Sequence, residues 1–251
     1  MNGRRGCPCS FASVAGALLF LLVASWTVAA TAARPDLPVV GLTPADTVCI
    51  ACDPPVSRPE AVAVDHHGRL LVADTGNNRV VVSDRDGVLL DEFGGYGWDE
   101  GRFDGPTDLA VYPGFFVYVL DEGNRRVQRF DIEGDFVDVI ADDEDVGTPV
   151  GVEVGRAGEL LIVDEDAQAV SVYSQFDEEA GEIGRYGVYL GGLVMPHDVA
   201  VGPSGQVAVA DPGRGEIIVF DEFGSVLRVL AGGDSLRPTD VLFDRAGCVF
   251  A

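Results

Sequence analysis

PEAVAVDHHGRLLVADTGNNRVVVSDRDGVLLDEFGGYGWDEGRFDG, residues 59–105, carries the pattern that decides the fold. Three runs in it are aliphatic or β-branched: AVAV (61–64), LLVA (70–73) and VVV (80–82). A fourth, VLLDEF (88–93), follows the Asp86-Gly87 turn. Such runs, bounded by Gly, Asn and Asp, predict four successive antiparallel strands. A lone four-stranded sheet cannot bury both its faces, so copies of the unit must stack on one another.

The copies are present. Pro59, Pro106, Pro149, Pro196 and Pro238 open successive units, at spacings of 47, 43, 47 and 42 residues. A turn glycine follows nine residues later in four units (Gly68, Gly158, Gly205, Gly247) and eight later in the second (Gly114). Fifteen residues after the Pro comes an aspartate in the first four units: Asp74, Asp121, Asp164 and Asp211. Agreement at two offsets across units of unequal length marks a true repeat. A period of roughly 40–50 residues with four strands each predicts an all-β fold, a β-propeller. Each of these aspartates ends a second strand. They are expected to bond backbone amides of the following turn, where Gly76, Gly123 and Gly213 would take positive φ.

Composition narrows the function classes. Arg4 and Arg5 precede an apolar run, Ala15 to Ala30, and the small residues Ala30-Thr31-Ala32 follow, so residues 1–32 read as a secretory signal peptide. The apolar run is shorter than the roughly 20 residues a membrane span needs. Export, secreted or periplasmic, is therefore expected, with no stable membrane span after cleavage. Beyond residue 32 there are 15 basic residues, all arginine, against 41 acidic ones, a formal −26. That charge repels phosphate backbones, so nucleic acid is excluded as a partner. The absence of Lys removes Schiff-base chemistry. Cys49, Cys52 and Cys248 remain after the leader, an odd number, and Cys49-Ile-Ala-Cys52 has no following His to attach a haem.

The text P-x-x-V-A-V-D-x-x-G-x-x-x-V-A-D-T-G-N-N-R-V of the first unit resembles an NHL repeat. The second unit keeps it as PTDLAV and VLDEGNRRVQRFDIEGDFV, whereas in the third and fourth Ala169 and Glu216 stand where Arg79 and Arg126 stood. The resemblance runs from about Val39 to the end of the chain. It implies a propeller and, commonly, a binding platform, without implying one activity. After Pro238 two strands are legible, TDVLF (239–243) and CVFA (248–251). Residues 39–51 can supply a third and fourth strand to them, closing a ring of five blades and removing a sheet edge. A truncated six-bladed propeller is the alternative. The five-bladed register puts Cys49 and Cys248 two strands apart, beyond disulfide reach.

In a propeller the first strand of each blade lines the central channel. The two residues after each anchoring Pro are Glu60-Ala61, Thr107-Asp108, Val150-Gly151, His197-Asp198 and Thr239-Asp240. Glu60, Asp108, Asp198 and Asp240 are thus candidates for an acidic ring. Asp108, Asp198 and Asp240 are the candidate metal ligands, with Ca²⁺ the cation that such hard oxygens suit. The repeats also resemble those of the zinc lyases that amidate peptides. Such a site takes imidazoles from several blades, and only His197 is axial, His66 and His67 lying in a distal turn. A calcium-dependent lactonase-like site built on carboxylates remains the enzymatic alternative. Aromatic residues give the other candidate site: Phe93, Tyr96, Trp98 and Phe103 crowd one inter-blade loop, and Tyr186 and Tyr189 stand in the corresponding loop two blades on. Such loops either anchor a ligand or pack beneath themselves. The first reading is a monomeric, non-enzymatic scaffold that binds a protein, peptide or carbohydrate through Glu60, Asp108, His197, Asp198, Asp240, Trp98 and Tyr189, with a metal-dependent hydrolase or lyase as the alternative.

Overall fold

The computed structural model describes residues 48–176, 178–185, 192–231 and 237–251. The leader, residues 39–47 and both Tyr186 and Tyr189 lie outside them. The first blade is β1 (Pro59–Val64), β2 (Leu70–Asp74), β3 (Arg79–Ser83) and β4 (Leu89–Gly94). The second is β5 (Pro106–Tyr112), β6 (Phe116–Asp121), β7 (Arg126–Asp131) and β8 (Phe136–Ala141). The third is β9 (Pro149–Val154), β10 (Leu160–Asp164), β11 (Ala169–Tyr173) and β12 (Glu179–Ile183). The fourth is β13 (Asp198–Val201), β14 (Val207–Asp211), β15 (Glu216–Phe220) and β16 (Val226–Ala231). A two-stranded sheet of β17 (Leu242–Phe243) and β18 (Val249–Phe250) follows. All pairings within these sheets are antiparallel between sequence neighbours. The strands predicted from residues 59–105 are therefore those observed. Among the described residues no helix is long and apolar enough to cross a membrane.

The innermost strands β1, β5, β9, β13 and β17 stand side by side in chain order. Across the first blade Pro59, Asp74, Arg79 and Gly94 form one row. That register puts the starts of β1 and β3 and the ends of β2 and β4 on one face, the top. The core lies between blades, not within one. Leu71, Ala73, Val80 and Val82 of the first blade meet Leu109, Val117, Val119 and Phe130 of the second. The third blade's Leu161 and Val163 likewise meet Val207, Val209 and Ile218 of the fourth. Period-2 alternation supplies each sheet with an apolar face for each neighbour.

The aspartates ending the second strands are buried, as their sheet position requires. Their shared partner differs from the expected one. Asp74 accepts the N–H of Ser57 (2.7 Å), Asp121 that of Asp104 (2.7 Å), Asp164 that of Gly147 (2.8 Å) and Asp211 that of Val194 (2.8 Å), always seventeen residues upstream. Each carboxylate thus ties the connection from the previous blade to its own. Among the described residues, backbone N–H bonds from the following turn form only in the third and fourth blades, from Ala167 and Arg214. In the first two the second oxygen is taken by Arg79 (2.8 Å) with Asn77 (2.8 Å), or Arg126 (2.9 Å) with Asn124 (2.7 Å).

A second correction concerns the turn glycines. Positive φ falls on Asn78 (55°), Arg125 (49°), Gln168 (55°) and Gly215 (66°), nineteen residues after each anchoring Pro, and not on Gly76, Gly123 or Gly213. Those glycines are required by close approach. A Cβ on Gly123 would stand 2.3 Å from the carbonyl oxygen of Asp104, and one on Gly76 2.7 Å from that of Ser57.

The described end of the expected closing strands, residues 48–51, meets the first blade. Ala51 pairs with Val88 and its N–H donates to the carbonyl of Gly87 (3.3 Å). Among the described residues, β17 and β18 pair only with one another.

Candidate functional site

The axial carboxylates split into two kinds. Asp108 accepts the N–H of Leu109 (2.8 Å) at one oxygen and, at the other, that of Val152 on the next blade (2.7 Å). Asp198 repeats this with Val199 (2.8 Å) and Val241 (2.7 Å). Both side chains are turned along the ring, stitching one inner strand to the next. Glu60 does not join them. It sits one position earlier, exposed, and pairs with Arg58 (2.9 Å), while Ala61 occupies the stitching position of that blade. Asp240 is exposed and bonded to the Thr239 hydroxyl (3.0 Å), and the Nδ1–H of His197 reaches the carbonyl of Thr239 (2.9 Å). Among the described residues no three His, Cys, Asp or Glu side chains are disposed to hold a metal ion together.

A carboxylate absent from the sequence reading completes the axial group. Glu153 lies two residues beyond Gly151, hence on the same side of its strand as the stitching positions. Burial pushes its carboxyl up to about 7, and the charge of Asp198 adds to the shift. Burial likewise raises Asp198 to about 7, with Asp240 contributing. Asp108 is driven well above the usual carboxylate range by burial and then by Asp198. Burial and mutual repulsion thus work against three simultaneous anions at the axis. Period 2 along PVGVEV was the signal for Glu153.

The aromatic loop divides just as sharply. Phe103 is fully buried and its ring lies 5.5 Å from that of Phe130, which Phe93 also meets at 4.8 Å. These two belong to the seam between the first and second blades. Tyr96 and Trp98 face solvent, 63% and 71% exposed, with ring centroids 6.1 Å apart. Gly94, at φ 106°, makes this possible: a Cβ there would stand 2.4 Å from the Phe103 ring.

The second blade clasps the backbone of that loop. Asn124 donates to the carbonyl of Gly97 (3.0 Å), and Arg126 to those of Trp98 (2.9 Å), Asp99 (3.0 Å) and Arg102 (2.8 Å). Buried Gln128 accepts the N–H of Gly101 (2.9 Å) and donates to Arg102 (2.7 Å). Sequence reasoning gave Arg126 to the repeat and missed Gln128. The loop then runs on as Asp104 and Gly105 into an open cleft of about 400 Å³ between the two blades. Arg58, Thr75, Gly105, Thr107, Glu122 and Gly123 line it, and the buried hydroxyl oxygen of Thr107 has no hydrogen-bond partner among the described residues. Two exposed aromatic rings on a braced backbone, beside a polar cleft, make a surface suited to gripping a chain laid across the seam. Trp98 is thus exposed on the braced loop. Tyr189 lies outside the described residues.

Known proteins place this architecture. The NHL repeat family model matches residues 57–82 and 193–220. Protein brain tumor of Drosophila melanogaster is 28% identical over 142 residues, covering 54% of this chain and 13% of that protein. NHL repeat-containing protein 2 of Bos taurus is 27% identical over 127 residues, covering 41% of the chain and 17% of that protein. The chain thus spans under a fifth of the length of these relatives. Among solved structures, a virginiamycin B lyase from Staphylococcus aureus superposes with a TM-score of 0.60 at 16% identity, covering 75% of this chain and 60% of that one, which is a likeness of fold. With the repeat pattern, the register and these matches in agreement, the chain carries NHL repeats and has a β-propeller fold.

Proposed function

We propose that this propeller is an exported binding module, and that it grips an extended peptide segment of a partner protein on the top face, at the seam of its first two blades. The observation that carries this is the pairing of exposed Tyr96 and Trp98 with a loop backbone held by Asn124, Arg126 and Gln128. A side chain fixed before binding loses less freedom on contact, so large aromatic rings on a braced loop return most of their buried area as affinity. The Arg4–Arg5 leader supports export, and the acidic surface argues against nucleic acid.

Trp98 is the only tryptophan beyond residue 32, so its emission reports on this site alone. Peptides selected from a displayed random library are expected to shift that emission on binding. Replacing Tyr96 and Trp98 together by Ala should weaken such peptides about 30-fold or more by titration calorimetry, the size of a hot-spot loss, while leaving the thermal midpoint unchanged. Selected peptides that bind the double variant as tightly as the parent would refute the site.

A further inference from the structure

We infer that the segment gripped at this seam is cationic, carrying Lys or Arg side chains; this rests on the peptide-binding reading above. The charges around the seam are unequally used. Arg58 is paired with Glu60, Arg125 with Asp143, and Arg126 with the buried Asp121. Arg102 is bonded to the carbonyl of Gly94 (2.6 Å). Every arginine at the seam is thus already engaged. Four carboxylates are not: Asp99 and Glu100 follow Trp98 on the loop, and Asp104 and Glu122 border the cleft. Among the described residues none of these four forms an ion pair.

Two independent features say that this surplus faces a ligand. The exposed rings of Tyr96 and Trp98 offer π faces, the natural seat for an ammonium or guanidinium group. The cleft is lined by Thr107, whose buried hydroxyl oxygen has no hydrogen-bond partner among the described residues, an unmet acceptor at the cleft wall. A lysine or arginine laid over Trp98 would meet Asp99 and Glu100 on the same loop, and the next residues of the peptide would run toward Glu122. Neutral and acidic segments would find the rings but gain nothing from the carboxylates, which is how charge sets specificity more than raw affinity.

The test uses three synthetic peptides of one length, in which Lys and Arg, Gln, or Asp and Glu alternate with the same Gly, Ser and Leu residues, with binding followed by titration calorimetry for every protein and by Trp98 emission where that residue is kept. The cationic peptide should bind at least about tenfold tighter than the Gln peptide, and the margin should shrink as salt rises from about 50 to 300 mM. Neutralising Asp99→Asn, Glu100→Gln and Glu122→Gln together should erase the margin. The control Asp86→Asn, Glu133→Gln and Glu222→Gln removes the same charge from turns on the opposite face and should preserve it, which separates a local site from general attraction to an acidic protein. Equal binding of cationic and Gln peptides, abolished by Trp98→Ala, would overturn the cationic specificity and leave the peptide platform standing. A preference that survives the seam triple variant would also overturn it. Binding of no peptide, in this set or from the library, would remove both.

Discussion

Asn78 and Arg125 show where the repeat stores its strain. Both hold left-handed backbone just before the third strand of their blades, while the adjacent Gly76 and Gly123 hold ordinary backbone pressed against a carbonyl. A sequence reader assigns left-handed geometry to glycine by default, because that residue alone occupies it at no cost. Here the tighter demand was space, which one-dimensional text does not display, and so the assignment slipped by two residues. Two substitutions check the reassignment. Gly123→Ala should cost about 1–3 kcal/mol, since its Cβ meets the backbone of Asp104 and not a yielding side chain. Arg125→Gly should be neutral or stabilising by up to about 1 kcal/mol, because it relieves a left-handed non-glycine residue. Urea midpoints of the two variants measure both, and the opposite order would restore the original assignment.

The decisive element is the loop from Gly94 to Gly105. Its composition announced an aromatic cluster, but not which rings face water. That choice depends on Phe103 folding back beside Gly94, where the chain pairs Tyr96 with Phe103, a contact set by backbone geometry and not by any period. The clasp was legible only in part: Arg126 stood out as a repeat arginine, whereas Gln128 looked like one more residue of a strand. Asp121 orients the Arg126 side chain, and its carboxylate lies under the loop from which it also receives the N–H of Asp104. Arg126→Ala should therefore loosen the loop more than the blade. Amide exchange over residues 95–103 is expected to accelerate at least about tenfold, the mark of local opening, while β6 and β7 keep their protection. Uniform acceleration through the second blade would mean that the arginine serves the sheet and not the loop.

At the scale of the whole molecule, the blades are joined by apolar seams and by the axial aspartates, and the second device carries a pH signature. The repeat period and alternation make the propeller legible in the sequence itself. The axial aspartates were legible as residues but not as stitches, since their partners lie 43 or 44 residues away on the next blade. Folded Glu153 keeps its proton up to about pH 7, against an ordinary value of 4.5. Between those values folding takes up a proton, so stability falls as pH rises through this window, and Asp198 acts in the same direction. The melting temperature should therefore decline from pH 5 to 8. Glu153→Gln should flatten that decline and stabilise the protein at pH 8 by on the order of 2 kcal/mol; an unchanged slope would place the titration elsewhere. The central claim remains that binding happens at the first seam and not at the axis. Amide exchange of the protein with and without the cationic peptide reads this directly. The account predicts new protection confined to residues 95–105 and 122–125; protection centred on β5, β9 and β13, with the loop unaffected, would contradict it.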